Sequence, residues 1–330
     1  MTTNTVAQIR TRLDGGLIPA VPVPFDGQGQ LHTSGHDAYL RYMSGQPVAG
    51  VAVWAHTGRG LLLEDETADA VLRDWRRALP NKVLIAGAGA AGAGNEDEAT
   101  DRAAAMAERA AALGADAILA YAPVWLRGHE RRDAKIVEHH RVLAGVGLPL
   151  VLFYLYESAG GIGYSPTVLD ELLSMPEVVG IKMATLDSVM TYQDVSRQLR
   201  ARHPDKLLIT GEDRFLGYSL QRGARAALIG MGAACCGLQA DLISSHTEGD
   251  ARRFLRLSNF VDQLAEATFT TPMEGYIKRM LWVLVHQGVI PFAAAHDPWG
   301  PELPREEFDE IGRTLAALRE TERNAFSSLH

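Results

Sequence analysis

Two short stretches decide the reading: Leu148-Pro149-Leu150-Val151-Leu152-Phe153-Tyr154 and, further on, Val178-Val179-Gly180-Ile181-Lys182. Both are too short and too rich in Val, Ile and Leu for surface helices, and uninterrupted apolar runs of this length mark strands buried on both faces. Similar runs recur at roughly regular intervals: Leu17–Val23, Gly50–Trp54, Lys82–Ala86, Asp116–Ala120, Lys206–Ile209 and Ala226–Ile229. Segments of helical periodicity lie between them. Glu96–Leu113 carries alanines and charges at helical spacing and stops at Gly114; Arg132–Ala144 and Thr167–Leu173 read the same way, the latter with Ser165 as N-cap before Pro166. Strand and helix alternating eight times predict a (β/α)8 TIM barrel of the α/β class rather than an open sheet.

The chain has 330 residues, 47% hydrophobic and 22% charged, with a formal net charge of −8. That charge gives no electrostatic reason to expect nucleic acid or an anionic membrane as a partner. Cys235 and Cys236 are adjacent and cannot close a useful loop, so a disulfide framework is not expected and a reducing, cytoplasmic setting is. Residues 1–13 mix polar residues with arginines and read as neither a signal peptide nor a membrane span. The barrel is expected over 1–238. Residues 239–330 read as a helical bundle packed on it, with helices over Asp250–Ala267, Gly275–Gln287 and Arg305–Arg323, broken by Pro291, Pro298 and Pro304.

Lys182 ends an otherwise apolar run, and active sites of these barrels lie at the C-terminal ends of strands. A poorly solvated ammonium there has a lowered pKa and becomes an accessible nucleophile. Position alone also allows a lysine turning into solvent. The order of motifs adds to it: Leu17-Ile18-Pro19-Ala20 with Pro24-Phe25, Gly114-Ala115-Asp116-Ala117 with Pro123, the strand ending in Phe153-Tyr154, Gly160-Gly161, Pro166, Gly180-Ile181-Lys182 and Gly211-Glu212-Asp213. In this order the chain resembles the dihydrodipicolinate synthase / N-acetylneuraminate lyase family from about Leu17 to Leu238. The resemblance implies a class I lyase in which Lys182 forms a Schiff base with a 2-keto acid such as pyruvate. It needs no cofactor, and the expected assembly is a homotetramer.

The resemblance also assigns roles. Ala55-His56-Thr57-Gly58-Arg59 stands where the family has Gly-Thr-Thr-Gly-Glu. Thr57 and Gly58 are expected to hold the substrate carboxylate through a hydroxyl and backbone N–H groups. His56, in place of a proton-relaying threonine, serves as acid or base or is held by structural hydrogen bonds. Arg59 pairs a second substrate carboxylate or bridges to Glu64 or Asp65. Counting forward from Leu148-Pro149 puts the family tyrosine at Phe153, which cannot transfer a proton. Counting back from Lys182 without gaps puts it at Tyr154 and also matches Gly161 and Pro166, so Tyr154 is the expected relay and Tyr156 a substrate contact on the same face.

Ala159 replaces the arginine that the synthases use on the aldehyde partner's carboxylate, and Trp125 replaces the tyrosine that they insert into a neighbouring subunit. Lysine-pathway synthesis is therefore not expected. Glu212 and Asp213 suit the hydroxyls of a polyol substrate, whereas Trp54 and Trp125 suit an aromatic arm; the sequence leaves both open. The reaction is expected to be aldol cleavage or condensation involving pyruvate, with or without a free aldehyde. Dehydration of a 2-keto-3-deoxy sugar acid and non-catalytic keto-acid binding are the alternatives. The glycine-rich run Ala86–Gly94 lacks the lysine-serine of a phosphate loop and reads as a flexible barrel loop. His139 and His140 have no ligand spacing, so no metal is inferred.

Overall fold

The computed structural model describes residues 3–91, 95–186 and 188–327. Eight parallel strands lie in the expected places: β1 Leu17–Pro19, β2 Gly50–Val53, β3 Val83–Ala88, β4 Ala117–Ala120, β5 Leu150–Leu155, β6 Val178–Ala184, β7 Leu207–Thr210 and β8 Ala226–Ile229. They pair in the order β1-β8-β7-β6-β5-β4-β3-β2. A parallel bridge between Ala20 and Ala52 closes the TIM barrel. β1 is shorter than its apolar run because Pro22 and Pro24 have no N–H to give a ladder. β3 runs two residues further than expected, into the glycine-rich stretch. A Cβ on Gly87 would lie 2.1 Å from the Trp54 carbonyl oxygen, so glycine there permits close packing rather than flexibility. The remainder of that stretch, residues 92–94, lies outside the described residues.

Side-chain alternation divides the apolar residues into two cores. One lies between the strands and the surrounding helices; the other fills the barrel with Val83, Ile85, Leu119, Val151, Phe153, Leu207 and Leu228. Ile9 and Leu13 of the helix Thr3–Leu13 join this inner core beside the starts of the strands. Each large apolar side chain so buried contributes about 2 kcal/mol. The helices begin where the sequence signals them: Asn95 accepts from the Glu98 N–H at 2.9 Å, and Ser165 from the Val168 N–H at 3.2 Å with Pro166 in the first turn. Gly114, at φ +94°, follows the helix Glu96–Ala112 as its stop.

After β8 come the helices Cys236–Thr247, Ala251–Thr268, Tyr276–His286 and Arg305–Ser327. The first runs through the division expected after residue 238. The stretch between the second and third, Phe269–Gly275, returns to the C-terminal ends of the strands, where Phe269, Met273, Glu274 and Tyr276 meet residues that follow β2 and β6.

Candidate active site

Lys182 lies within β6, two residues before its end, rather than closing it. β6 is irregular at its start, where Leu150 pairs with Val178 but Val151 with Gly180. The extra residue sets the parity that follows: Ile181 and Met183 join the outer core, while Lys182 and Ala184 face the interior. Glycine is required at 180, since a Cβ would lie 2.1 Å from the Leu207 carbonyl oxygen. Gly211 makes room for the lysine stem in the same way: its Cβ would fall 2.8 Å from Lys182 Cε. Nζ sits 4.1 Å from the centre of the Phe153 ring. Burial lowers the ammonium to about 8, against the opposing charges of Asp213 and Glu212. A much larger share of the amine is therefore neutral near physiological pH than in an ordinary lysine.

Phe153, not Tyr154, is the aromatic residue beside Lys182. The two are register partners in the β5–β6 ladder and both line the cleft. Tyr154 is turned to the outer core, where its ring meets that of Tyr164 edge-on at 6.1 Å. The strand is held by its neighbours from Leu150 onward, whereas the loop after it can lengthen by a residue at little cost. Counting back across that loop therefore gave the wrong parity. Tyr156, expected on the same face as Tyr154, instead lies beyond the end of β5 and lines the cleft.

The two acidic residues after β7 have different surroundings. Asp213 lines the cleft and accepts from the Met231 N–H at 2.7 Å. Burial raises its carboxyl to about 7 despite that bond and the charge of Lys182. Glu212 is fully buried and not at the cleft wall. It accepts from the Thr185 N–H at 2.6 Å, the Thr185 hydroxyl at 2.9 Å and the Leu186 N–H at 3.0 Å, so it holds the turn after β6 rather than facing substrate hydroxyls.

After β2 a single 3-10 turn, His56–Gly58, ends at Arg59 in the left-handed region. Thr57 and His56 line the cleft, but the Gly58 N–H is taken by the Ala55 carbonyl at 3.0 Å and cannot hold a carboxylate as expected. His56 Nε2 lies 2.9 Å from Glu274 Oε1. Arg59 bridges neither Glu64 nor Asp65. Its Nη1 donates to Glu274 Oε2 at 2.7 Å, and its Nε and Nη2 donate to the two oxygens of Asp297 at 3.2 and 2.7 Å. Burial raises the Glu274 carboxyl, yet the bonds and charges of His56 and Arg59 outweigh it and hold the group at about 2. Thr57 Oγ1 is 3.0 Å from the Tyr276 hydroxyl.

Glu274, Tyr276 and Asp297 were not foreseen as site residues. Each comes from the C-terminal segment, far away in sequence from its partner. The one available signal was Arg59 itself, a charged residue in an apolar loop that required acidic partners. Trp125 lies away from the lysine cleft, in a separate hollow with His139, whose ring it meets edge-on at 5.3 Å. Trp54 is buried, with its indole N–H donated to the Ala68 carbonyl at 2.8 Å, so it offers no face to a substrate. His139 and His140 are buried too, and burial lowers them to about 3 and about 4. Among the described residues no group of three His, Cys, Asp or Glu could hold a metal ion, and no helix is long and apolar enough to cross a membrane.

The sequence matches the dihydrodipicolinate synthetase family over residues 14–317. It is 31% identical over 210 residues to a 4-hydroxy-tetrahydrodipicolinate synthase of Stenotrophomonas maltophilia, a match covering 63% of this chain and 66%, just under two thirds, of that relative. It is 23% identical over 290 residues to an N-acetylneuraminate lyase of Salmonella typhimurium, covering 87% of this chain and 91% of the relative. Among solved structures, a dihydrodipicolinic acid synthase family protein of E. coli in complex with pyruvate superposes with a TM-score of 0.79 at 20% identity, over 92% of this chain and 98% of the other. With this match along nearly its whole length and the same barrel beneath it, the chain belongs to the dihydrodipicolinate synthetase family.

Proposed function

We propose that the protein is a Schiff-base lyase that cleaves or forms a carbon–carbon bond next to a pyruvate unit. The observation that carries this is Lys182: an amine lowered to about 8 by burial, inside the barrel, lining a cleft that opens at the strand ends. The Lys182 ammonium gives up a proton, neutral Nζ attacks the C2 carbonyl of a 2-keto acid, and with that proton returned the carbonyl oxygen leaves as water, giving a protonated imine that draws electrons from C3. The C4 hydroxyl loses its proton as the C3–C4 bond breaks, which releases an aldehyde and leaves an enamine. Protonation at C3 and hydrolysis return pyruvate and free lysine.

Thr57 is the residue suited to the substrate carboxylate, since the Gly58 N–H is already engaged. Asp213 lies close enough to Lys182 to balance the charge of the imine. The loop after β5, residues 156–161, carries no lysine or arginine for a carboxylate on the aldehyde partner, which supports a partner other than that of lysine synthesis. Cytoplasmic location and a homotetramer belong to the same proposal, and light scattering checks the assembly.

The test is pyruvate release from a panel of 4-hydroxy-2-keto acids. Wild-type protein is expected to release pyruvate from at least one of them, and Lys182→Ala from none. Consumption of the same compounds without pyruvate release would replace the lyase reading with a dehydratase. No consumption of any of them would remove both.

A further inference from the structure

The cleft sets a problem for its own chemistry. Attack by Lys182 requires protons to leave nitrogen and reach oxygen, yet its aromatic neighbour Phe153 has no proton to move. Glu274 is bonded to His56 and Arg59, and Asp213, one oxygen of which accepts from the Met231 N–H, is the carboxylate that balances the charge on the nitrogen. Tyr156 stands at the half-buried mouth, beyond the strand end.

Tyr276 is placed differently. It opens the helix Tyr276–His286, is only 8% exposed, and lines the same cleft as Lys182. Its hydroxyl is 3.0 Å from Thr57 Oγ1, and its ring stacks on Phe269 with centroids 4.7 Å apart. The seat is built for it. A Cβ on Gly230 would lie 2.8 Å from Tyr276 Cε2, 3.3 Å from Phe269 Cζ and 3.3 Å from Thr57 Oγ1. The preceding residues are tied down as well, because Glu274 is clamped by Arg59, which Asp297 holds from the other side.

We propose that Tyr276, reaching the cleft from the C-terminal segment, is the proton-relay hydroxyl of the Lys182 reaction, with Thr57 as its partner. The assignment rests on the Schiff-base reading of Lys182. Nζ begins as an ammonium with three protons and ends as a protonated imine with one. The two protons it gives up and the carbonyl oxygen leave together as water, so no outside acid is consumed. Tyr276 accepts each proton while passing its own toward the oxygen, with Thr57 as donor or acceptor beside it. The phenol thus stays neutral throughout, in keeping with burial that raises it well above its ordinary value.

The test measures the rate of pyruvate adduct formation on Lys182 by quenched borohydride reduction in wild type, Tyr276→Phe, Thr57→Val and the double variant. Removing a positioned proton-transfer group is expected to slow the reaction by about 100-fold or more. In Tyr276→Phe the final extent of adduct and the thermal midpoint are expected to stay close to wild type; Thr57→Val also loses a contact to the carboxylate, so all rates are compared at saturating pyruvate. Because the two hydroxyls act as a unit, the double variant should be no slower than the slower single variant. Thr57→Ser, which keeps the hydroxyl, should retain the wild-type rate even if one of the other variants fails to fold. A Tyr276→Phe rate within about twofold of wild type overturns the relay and leaves the Schiff base standing. So do losses that multiply in the double variant, or a Thr57→Ser as slow as Thr57→Val. No adduct in wild type would overturn both readings.

Discussion

Varying the pH should expose the consequence of burying Lys182. With a pKa of about 8, roughly one-tenth of the amine is neutral at pH 7. At the ordinary lysine value only about three parts in ten thousand would be, a difference of about 300-fold in nucleophile. The initial rate of imine formation at low pyruvate, trapped with cyanoborohydride and corrected by a lysine peptide in the same tube, should rise about tenfold per pH unit below about 8 and level off above it. Asp213 favours the ammonium, so Asp213→Asn should move the break downward, by up to about one unit. Stability follows the same group. The folded state binds this proton less tightly than the unfolded chain, so the lysine costs about 3 kcal/mol below pH 8, and the cost fades as pH rises toward about 10.5. A rate that keeps climbing to about pH 10 would show that the amine is solvated like any surface lysine, and would refute the reasoning from burial.

Three substitutions probe other parts of the site. Tyr154→Phe should leave the adduct rate within about twofold of wild type because Tyr154 faces the outer core; a loss near 100-fold would return it to the reaction. Asp297→Asn takes away the charge on the far side of Arg59, whose side chain is 9% exposed against 1% for Asp297, and should cost about 3 kcal/mol in urea unfolding. A loss below about 1 kcal/mol would mean that Glu274 alone suffices. Gly211→Ala puts a methyl 2.8 Å from both Lys182 Cε and the Met183 carbonyl oxygen. It should destabilise by about 1–3 kcal/mol and slow adduct formation, whereas unchanged kinetics would place the stem elsewhere.

The barrel could be read from the sequence because a strand buried on both faces must be continuously apolar, and all eight strands left that mark. Lys182 stood out as the charge that interrupts one of them. The side chain facing it could not be read with the same security. Whether Phe153 or Tyr154 points inward depends on strand register, which pairing with Ile118 and Val178 fixes, and not on a count across the loop that follows β5. Counting forward along the strand gave Phe153, the residue that lines the cleft.

Glu212 shows a second limit. Its neighbour Asp213 looks the same in sequence, yet Glu212 is consumed by three donors from the turn after β6 while Asp213 opens onto the cleft. The contributions of Glu274, Tyr276 and Asp297 were hidden for a related reason. No local periodicity records that a segment more than 200 residues away folds back over the β2 loop.

The most direct measurement is borohydride reduction of the protein with pyruvate, followed by intact and peptide mass spectrometry. The expected result is one reduced pyruvyl group per chain, located on Lys182 and absent from Lys182→Ala. An adduct on another lysine, or none with pyruvate and with a panel of sugar-derived 2-keto acids, would contradict the assignment of Lys182 as the nucleophile.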